Sequence, residues 1–203
     1  MDGIIALGPA DIVNERPFTH PDHTIADLNV LRYMVDRLGL IIEYPFMYAG
    51  LPQPLRLQQP AAHRLVIAQP DRLKKLDQLT VIGFFGEKRP DADPSLTDEF
   101  DTILIDDFPQ HPDLLSYSTL ALQAGNFGNL VLFAHPEATQ HWSRSKAHAQ
   151  AAGKLAPNYY ASVRIYNGLL PDGIRNSKSL RIVHVKYFDY QNTSLWRAVR
   201  TLP

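Results

Sequence analysis

A chain of 203 residues, 45% hydrophobic and 20% charged, is long enough to bury a substantial core but tight for two full domains. Its formal net charge of -1 offers no long-range field for a polyanion, so nucleic acid is not an implied partner. The absence of cysteine excludes disulfides, thiolate nucleophiles and cysteine-ligated metals, and it fits a reducing compartment.

The opening GIIAL reads as a short strand, and the acidic Asp2 with so brief an apolar run argues against a signal peptide. LGLIIEYPFMYAGL is broken by Glu43 and Pro45 before reaching the ~20 residues a membrane span needs, so a cytoplasmic protein without a membrane partner is expected. Thr24 reads as a helix N-cap with Asp27 in the first turn. Ile25, Leu28, Leu31, Val35 and Leu38 then recur at helical spacing, and Gly39 reads as the stop. LIIEYPF reads as a strand. The proline-rich AGLPQPLRLQQPAA reads as a loop or arm, HRLVIA as a short strand and DRLKKLDQ as a solvated turn of helix.

From Leu79 the pattern is cleaner. LTVIGFFGEK predicts a strand, and Ser95 opens a helix that buries Leu96, Phe100, Leu104 and Phe108 and stops at Pro109. LLSYSTLAL and NLVLFAH predict a hairpin turning at QAGNFG. One helix is expected over PEATQHWSRSKAHAQAAGKLAP, with strands at NYYASVRIY and SLRIVHVKYFDY and an amphipathic tail at WRAVRTLP. This order predicts an α+β fold, a ferredoxin-like split βαβ core over residues 76–203, preceded by an extension over 1–75. Alternation on the last strand sets Val183, Val185 and Tyr187 against Ile182, His184, Lys186 and Phe188. A sheet apolar on both faces needs a second layer, from a partner subunit or from the extension.

The stretches SYSTLAL, NLVLFAHPEATQHW and SKAHAQAAGKLAPNYYASVRIYNG resemble the dimeric α/β-barrel superfamily, the antibiotic-biosynthesis-monooxygenase-like group, over roughly residues 79–190. The resemblance implies a homodimer of ferredoxin-like units, expected to hold a small, largely apolar ligand, aromatic or anionic, between sheet and helices. It also implies, for an enzyme, cofactor-free oxygen chemistry or isomerisation. Two positions depart from the pattern: His135 stands where relatives often carry Trp, and Ala152 stands where haem-degrading relatives carry their ligating His. No cofactor is therefore expected. The reading from another class is a non-catalytic dimerisation or interaction domain.

Candidate ligand-pocket residues are Trp142, His148, Tyr160, Arg164, His184 and Lys186. His141, Arg144 and His148 share a face of the expected helix, either lining a pocket or facing solvent, while Trp142 faces the sheet as an anchor or pocket wall. Tyr160, Arg164 and Tyr166 alternate onto one face of their strand. A buried Arg164 requires either an anionic ligand or a helix carboxylate. His184 and Lys186 could meet it across the sheet and suit an anion, although edge solvation explains them equally. His20 and His23 lack a third ligand, Gly83 and Gly86 form no phosphate loop, and Ser116 and Ser118 lie in a strand rather than on a nucleophile elbow, so no metal, nucleotide or triad is assigned.

Overall fold

Alternating side chains on the central strands feed two separate cores. On β4 (Leu79–Lys88), Leu79, Val81 and Phe85 enter one cluster, whereas Ile82 and Phe84 pack on the opposite side. On β6 (Phe127–Phe133), Leu130 and Leu132 oppose Val131 and Phe133; on β7 (Tyr160–Leu170), Tyr166 and Leu170 oppose Val163 and Ile165. A period of two with apolar residues on both parities gives a strand buried on both faces, which requires three layers.

The structure is a computed structural model describing residues 3–44, 55–58, 61–192 and 194–203, apart from the side chains of Asp98 and Phe100. Its remaining strands are β1 (Ile5–Leu7), β2 (Leu55–Leu57), β3 (His63–Ile67), β5 (Leu114–Ala121), β8 (Arg181–Asp189) and β9 (Trp196–Thr201). All join one mixed sheet in the order β1-β9-β8-β7-β4-β6-β5-β3-β2, antiparallel except where β1 runs parallel to β9.

One face is covered by α1 (Pro21–Ile42), whose Leu31, Met34, Val35, Leu38, Ile41 and Ile42 form a helical stripe in the larger core. The other is covered by α3 (Ser95–Asp107) and by the segment from α4 (Pro136–Ser143) through α5 (Lys146–Gln150) to α6 (Ala156–Tyr159). The short α2 (Pro70–Lys75) links β3 to β4. The second layer that the apolar sheet demands on the α1 side thus comes from the same chain. Among the described residues no helix is long and apolar enough to cross a membrane.

Two glycines of β4 are seats for large side chains. A Cβ at Gly83 would lie 2.8 Å from Leu31 of α1, and one at Gly86 would lie 2.3 Å from the Tyr160 ring. On β9, one strand in from the sheet edge, Arg200 is wholly buried yet has no carboxylate partner among the described residues; it donates to the carbonyls of Gly8, Pro9, Asp11 and Thr19 at 2.6–2.9 Å and to the Tyr187 hydroxyl at 3.1 Å. These bonds clasp the segment before α1 onto β9 and satisfy the guanidinium.

The structure corrects several expectations. Helix α1 begins at Pro21 rather than after Thr24, because proline suits the first helical position and His20 Nδ1 accepts the Asp22 N–H at 3.3 Å. It also runs past Gly39, since Ile41 and Ile42 extend the buried stripe and the missing Cβ admits the Ile174 carbonyl. Leu40–Ile42 are therefore helical rather than strand, while Pro45 and Phe46 lie outside the described residues. Leu55–Leu57 of the proline-rich arm form edge strand β2; the arm's residues 49–54, 59 and 60 lie outside the described residues. The Phe100 side chain, expected in the α3 stripe, likewise lies outside what is described; Leu104 and Phe108 are buried.

The helix expected over residues 136–157 is broken, because Ser145 accepts the His148 N–H at 3.1 Å and caps a new helix, and a π-turn follows at 151–155 before Pro157. The tail WRAVRTLP supplies β9, paired with both β8 and β1. A bulge between Asn167 and Gly168 sets Ile182 opposite Gly168, which moves Ile182 to the α1-side core with Val185 and Tyr187.

Candidate functional site

On the helix-layer side, one rung of the sheet is polar where its neighbours are apolar. Arg56 of β2 stands opposite Arg64 of β3, Arg64 opposite Thr119 of β5, and Thr119 opposite Asn129 of β6. The adjoining positions Val66, Tyr117, Val131 and Phe133 belong to a buried cluster under α3 and α4. Above the polar rung the helix stands off, leaving a cleft of about 280 Å³ roofed by Thr97, Asp101 and Leu104 of α3 and closed at one end by Tyr160. That volume is near the lower end of small-molecule sites.

The Asp101 carboxylate lies 2.5 Å from Arg64 Nη2, which also donates to Thr119 Oγ1 at 3.4 Å. The guanidinium carbon sits 5.9 Å from the Tyr117 ring centroid. Burial, reinforced by the Asp101 charge, pushes the Tyr117 phenol well above its ordinary range; burial with the neighbouring Tyr117 does the same to Tyr160. Both therefore remain protonated at neutral pH and present O–H groups rather than phenolates.

Two polar groups of the cleft are unused. The Asn129 amide makes no hydrogen bond among the described residues, and its Oδ1 is shut away from solvent. The Tyr160 hydroxyl is likewise unbonded among the described residues. Since buried polar groups are normally paired, such groups at a cavity wall mark a place for a bound molecule or ordered water. His63 shares the parity of Leu65 and Ile67, on the α1 side of the sheet, and is 1% exposed with both ring nitrogens unpartnered among the described residues; burial and then the Arg37 charge lower its pKa to about 4, so it is neutral.

Of the six residues singled out in the sequence, Tyr160 lines this cleft. It packs with Phe84, Tyr159 and Val163 on the helix side rather than sharing the face of Arg164 and Tyr166, because the register shift at Glu87/Lys88 breaks the strand's alternation. Trp142 and His148 do come together, with ring centroids 4.8 Å apart, but away from the cleft lining: Trp142 packs 5.5 Å from Phe133, and burial and then the charge of His111 lower the His148 pKa. The helix break at Ser145 removes the continuous face that would have aligned His141, Arg144 and His148.

Arg164 points to the α1 side. Its Nε donates to Asp27 Oδ2 at 2.7 Å, its Nη1 reaches Glu87 at 3.4 Å, and the Tyr166 hydroxyl donates to the same Asp27 oxygen at 2.7 Å. Burial opposes the Arg164 charge, but the Asp27 hydrogen bonds and charge outweigh it and raise the pKa. His184 and Lys186 stand opposite Asn167 and Ile165, on the other side of the sheet from Arg164, so the three do not converge. Burial, and then the adjacent Lys186, lower the His184 pKa.

Arg56, Arg64, Asp101, Thr119 and Asn129 were not singled out in the sequence. Their signal is a polar residue at a helix-facing position on consecutive sheet neighbours, visible only when the parity and partners of each strand are known.

No family model matches the chain, and no curated protein does. Among solved structures, protein SO0527 from Shewanella oneidensis is similar at 14% identity, covering 47% of this chain and 95% of that one, with a TM-score of 0.39. SnoaB, a cofactor-independent oxygenase from Streptomyces nogalater, is similar at 12% identity, covering 46% and 91%, with a TM-score of 0.36.

Proposed function

We propose that this protein binds a small, partly aromatic molecule in the cleft between α3 and the sheet. The observation that carries the reading is that two residues lining the cleft, Asn129 and Tyr160, carry side-chain polar groups with no hydrogen bond among the described residues. A purely structural interior would have filled that space with apolar side chains, as happens one rung away at Val66, Tyr117 and Val131. This favours ligand binding over a non-catalytic interaction domain.

Strands β4 to β7 with their helices run strand, helix, strand, strand, helix, strand, in the sheet order β7-β4-β6-β5. That connectivity supports reading this unit as a ferredoxin-like core of the α/β-barrel type, with α1 on the sheet face where a dimeric barrel would place its partner. For such an enzyme, proton transfer between the ligand and Asp101 is the chemistry the cleft groups can perform, a first step common to isomerisation and to cofactor-free oxygenation. Screening small bicyclic aromatics by ligand-observed NMR tests the reading: hits should be lost in Asn129→Leu and weakened in Tyr160→Phe. Hits that survive both substitutions would place binding elsewhere.

A further inference from the structure

We propose that the ligand of this cleft is an aromatic carboxylate, whose anionic group is taken by Arg56 and Arg64, cross-strand partners that both line the cleft. The proposal rests on the reading of the cleft as a small-molecule site and names its substrate class. Arg56 and Arg64 are directly opposed across the β2–β3 ladder, an arrangement in which like charges repel. Both line the cleft, where a bound anion would offset that repulsion.

Among the described residues the charged side chains lining the cavity are these two cations and one carboxylate, Asp101, an excess of positive charge. Asp101 neutralises Arg64, whose side chain is 11% exposed, while Arg56 makes no ion pair among the described residues. The remaining polar groups reinforce the same preference. The Tyr160 O–H is held protonated, and the Asn129 Nδ2 is an uncommitted donor two strands from Arg64. The Asn129 Oδ1 is shut away from solvent, while these donors and the two guanidiniums are available to a planar carboxylate. A guanidinium fork matches that group with paired charge-assisted bonds.

The apolar end of the molecule is specified by the rest of the wall. Leu57, Leu104, Phe127 and the rings of Tyr117 and Tyr160 line the cavity beyond the cationic pair. A flat hydrocarbon of one or two rings fits a space of about 280 Å³. Asp101 then acts as a stand-in: it occupies Arg64 in the free protein, and the incoming carboxylate competes with it.

Isothermal titration of the full chain with 2-naphthoate and with its neutral isostere 2-naphthamide tests this. The carboxylate should bind about tenfold tighter than the amide, as paired charge-assisted bonds imply. Arg64→Gln should abolish that preference, Arg56→Gln at the exposed mouth should reduce it with a thermal midpoint at or above that of the wild type, and Asp101→Asn should tighten naphthoate while leaving naphthamide unchanged. Equal affinities in the wild type, or a preference unaltered in both arginine variants, would overturn the carboxylate assignment while leaving the cleft a ligand site. Binding of neither compound to the folded wild type would overturn the cleft reading itself.

Discussion

Asp27 is a carboxylate at 6% exposure that accepts from Arg164 and from Tyr166, both on β7, and so it ties α1 to the sheet at the point where the helix begins its buried stripe. Removing one member of a buried pair leaves the other charge without solvent, which typically costs about 3–5 kcal/mol. Asp27→Leu should lower stability by that order in urea melts, and Tyr166→Phe by about 1–3 kcal/mol, since a hydrogen bond to a charged acceptor is lost. A wild-type midpoint for Asp27→Leu would mean that Glu87 alone suffices for Arg164. His63 gives a pH signature. Its folded pKa, lowered by burial and by Arg37 to about 4, lies below the ordinary 6.5, so the unfolded chain binds more protons between those values. Stability should therefore fall as pH drops from about 6.5 towards 4. His148 and His184, also lowered, push the same way. Urea midpoints at pH 7 and pH 4.5 should differ less in His63→Gln than in the wild type, and an unchanged difference would show that His63 does not contribute.

At the level of elements, the strands from Leu79 onward were legible because both parities are apolar, while the pieces that were missed carry a polar residue on the buried side. β9 reads as a tail since Arg200 alternates inward with Ala198, and the Tyr187 hydroxyl with carbonyls 181 to 192 residues away in sequence makes that arginine acceptable. The cleft was hidden for the same reason: Arg64, Thr119 and Asn129 look like ordinary solvent-facing strand positions until α3 is placed over them. The helix break at Ser145 was equally invisible to periodicity, since Ser is tolerated in a helix and becomes a cap only when its side chain turns back. Trp142 was expected on the sheet side and is there, 6% exposed, with its Nε1 lacking a partner. As its ring fills the space over Phe133 between Ala138 and Ala151, Trp142→Ala should cost about 3–5 kcal/mol. Trp142→Phe should cost much less, because it retains most of the ring contact and removes an unsatisfied N–H. Denaturant melts in which both variants match the wild type would exclude an anchoring role.

For the whole molecule, the decisive arrangement is that α1 lies on the sheet face that a partner subunit or the N-terminal extension was expected to cover. The argument for a face-to-face dimer was the lack of a second layer on an apolar sheet, and the buried stripe from Leu31 to Ile42 supplies that layer from within the chain. Sedimentation at micromolar concentration should accordingly give the 22.9 kDa mass of one chain, unless copies pair through another surface. The seat of the helix is Gly83, where a Cβ would stand 2.8 Å from Leu31 Cδ1 and 3.3 Å from the Tyr166 Cβ. Gly83→Val puts branched carbon into that contact, and such overpacking typically costs about 1–3 kcal/mol. Lifting α1 should also expose the apolar strands beneath it, so the variant should bind a hydrophobic dye and gain mass with concentration. Shortening the opposing side chain tests whether the contact itself is responsible. Gly83→Val combined with Leu31→Ala should be more stable than the sum of the two single losses, a coupling expected only for residues in direct contact. Strict additivity, or a Gly83→Val protein that melts and sediments like the wild type, would show that α1 is not seated on β4 and that the cover on this face must come from a second molecule.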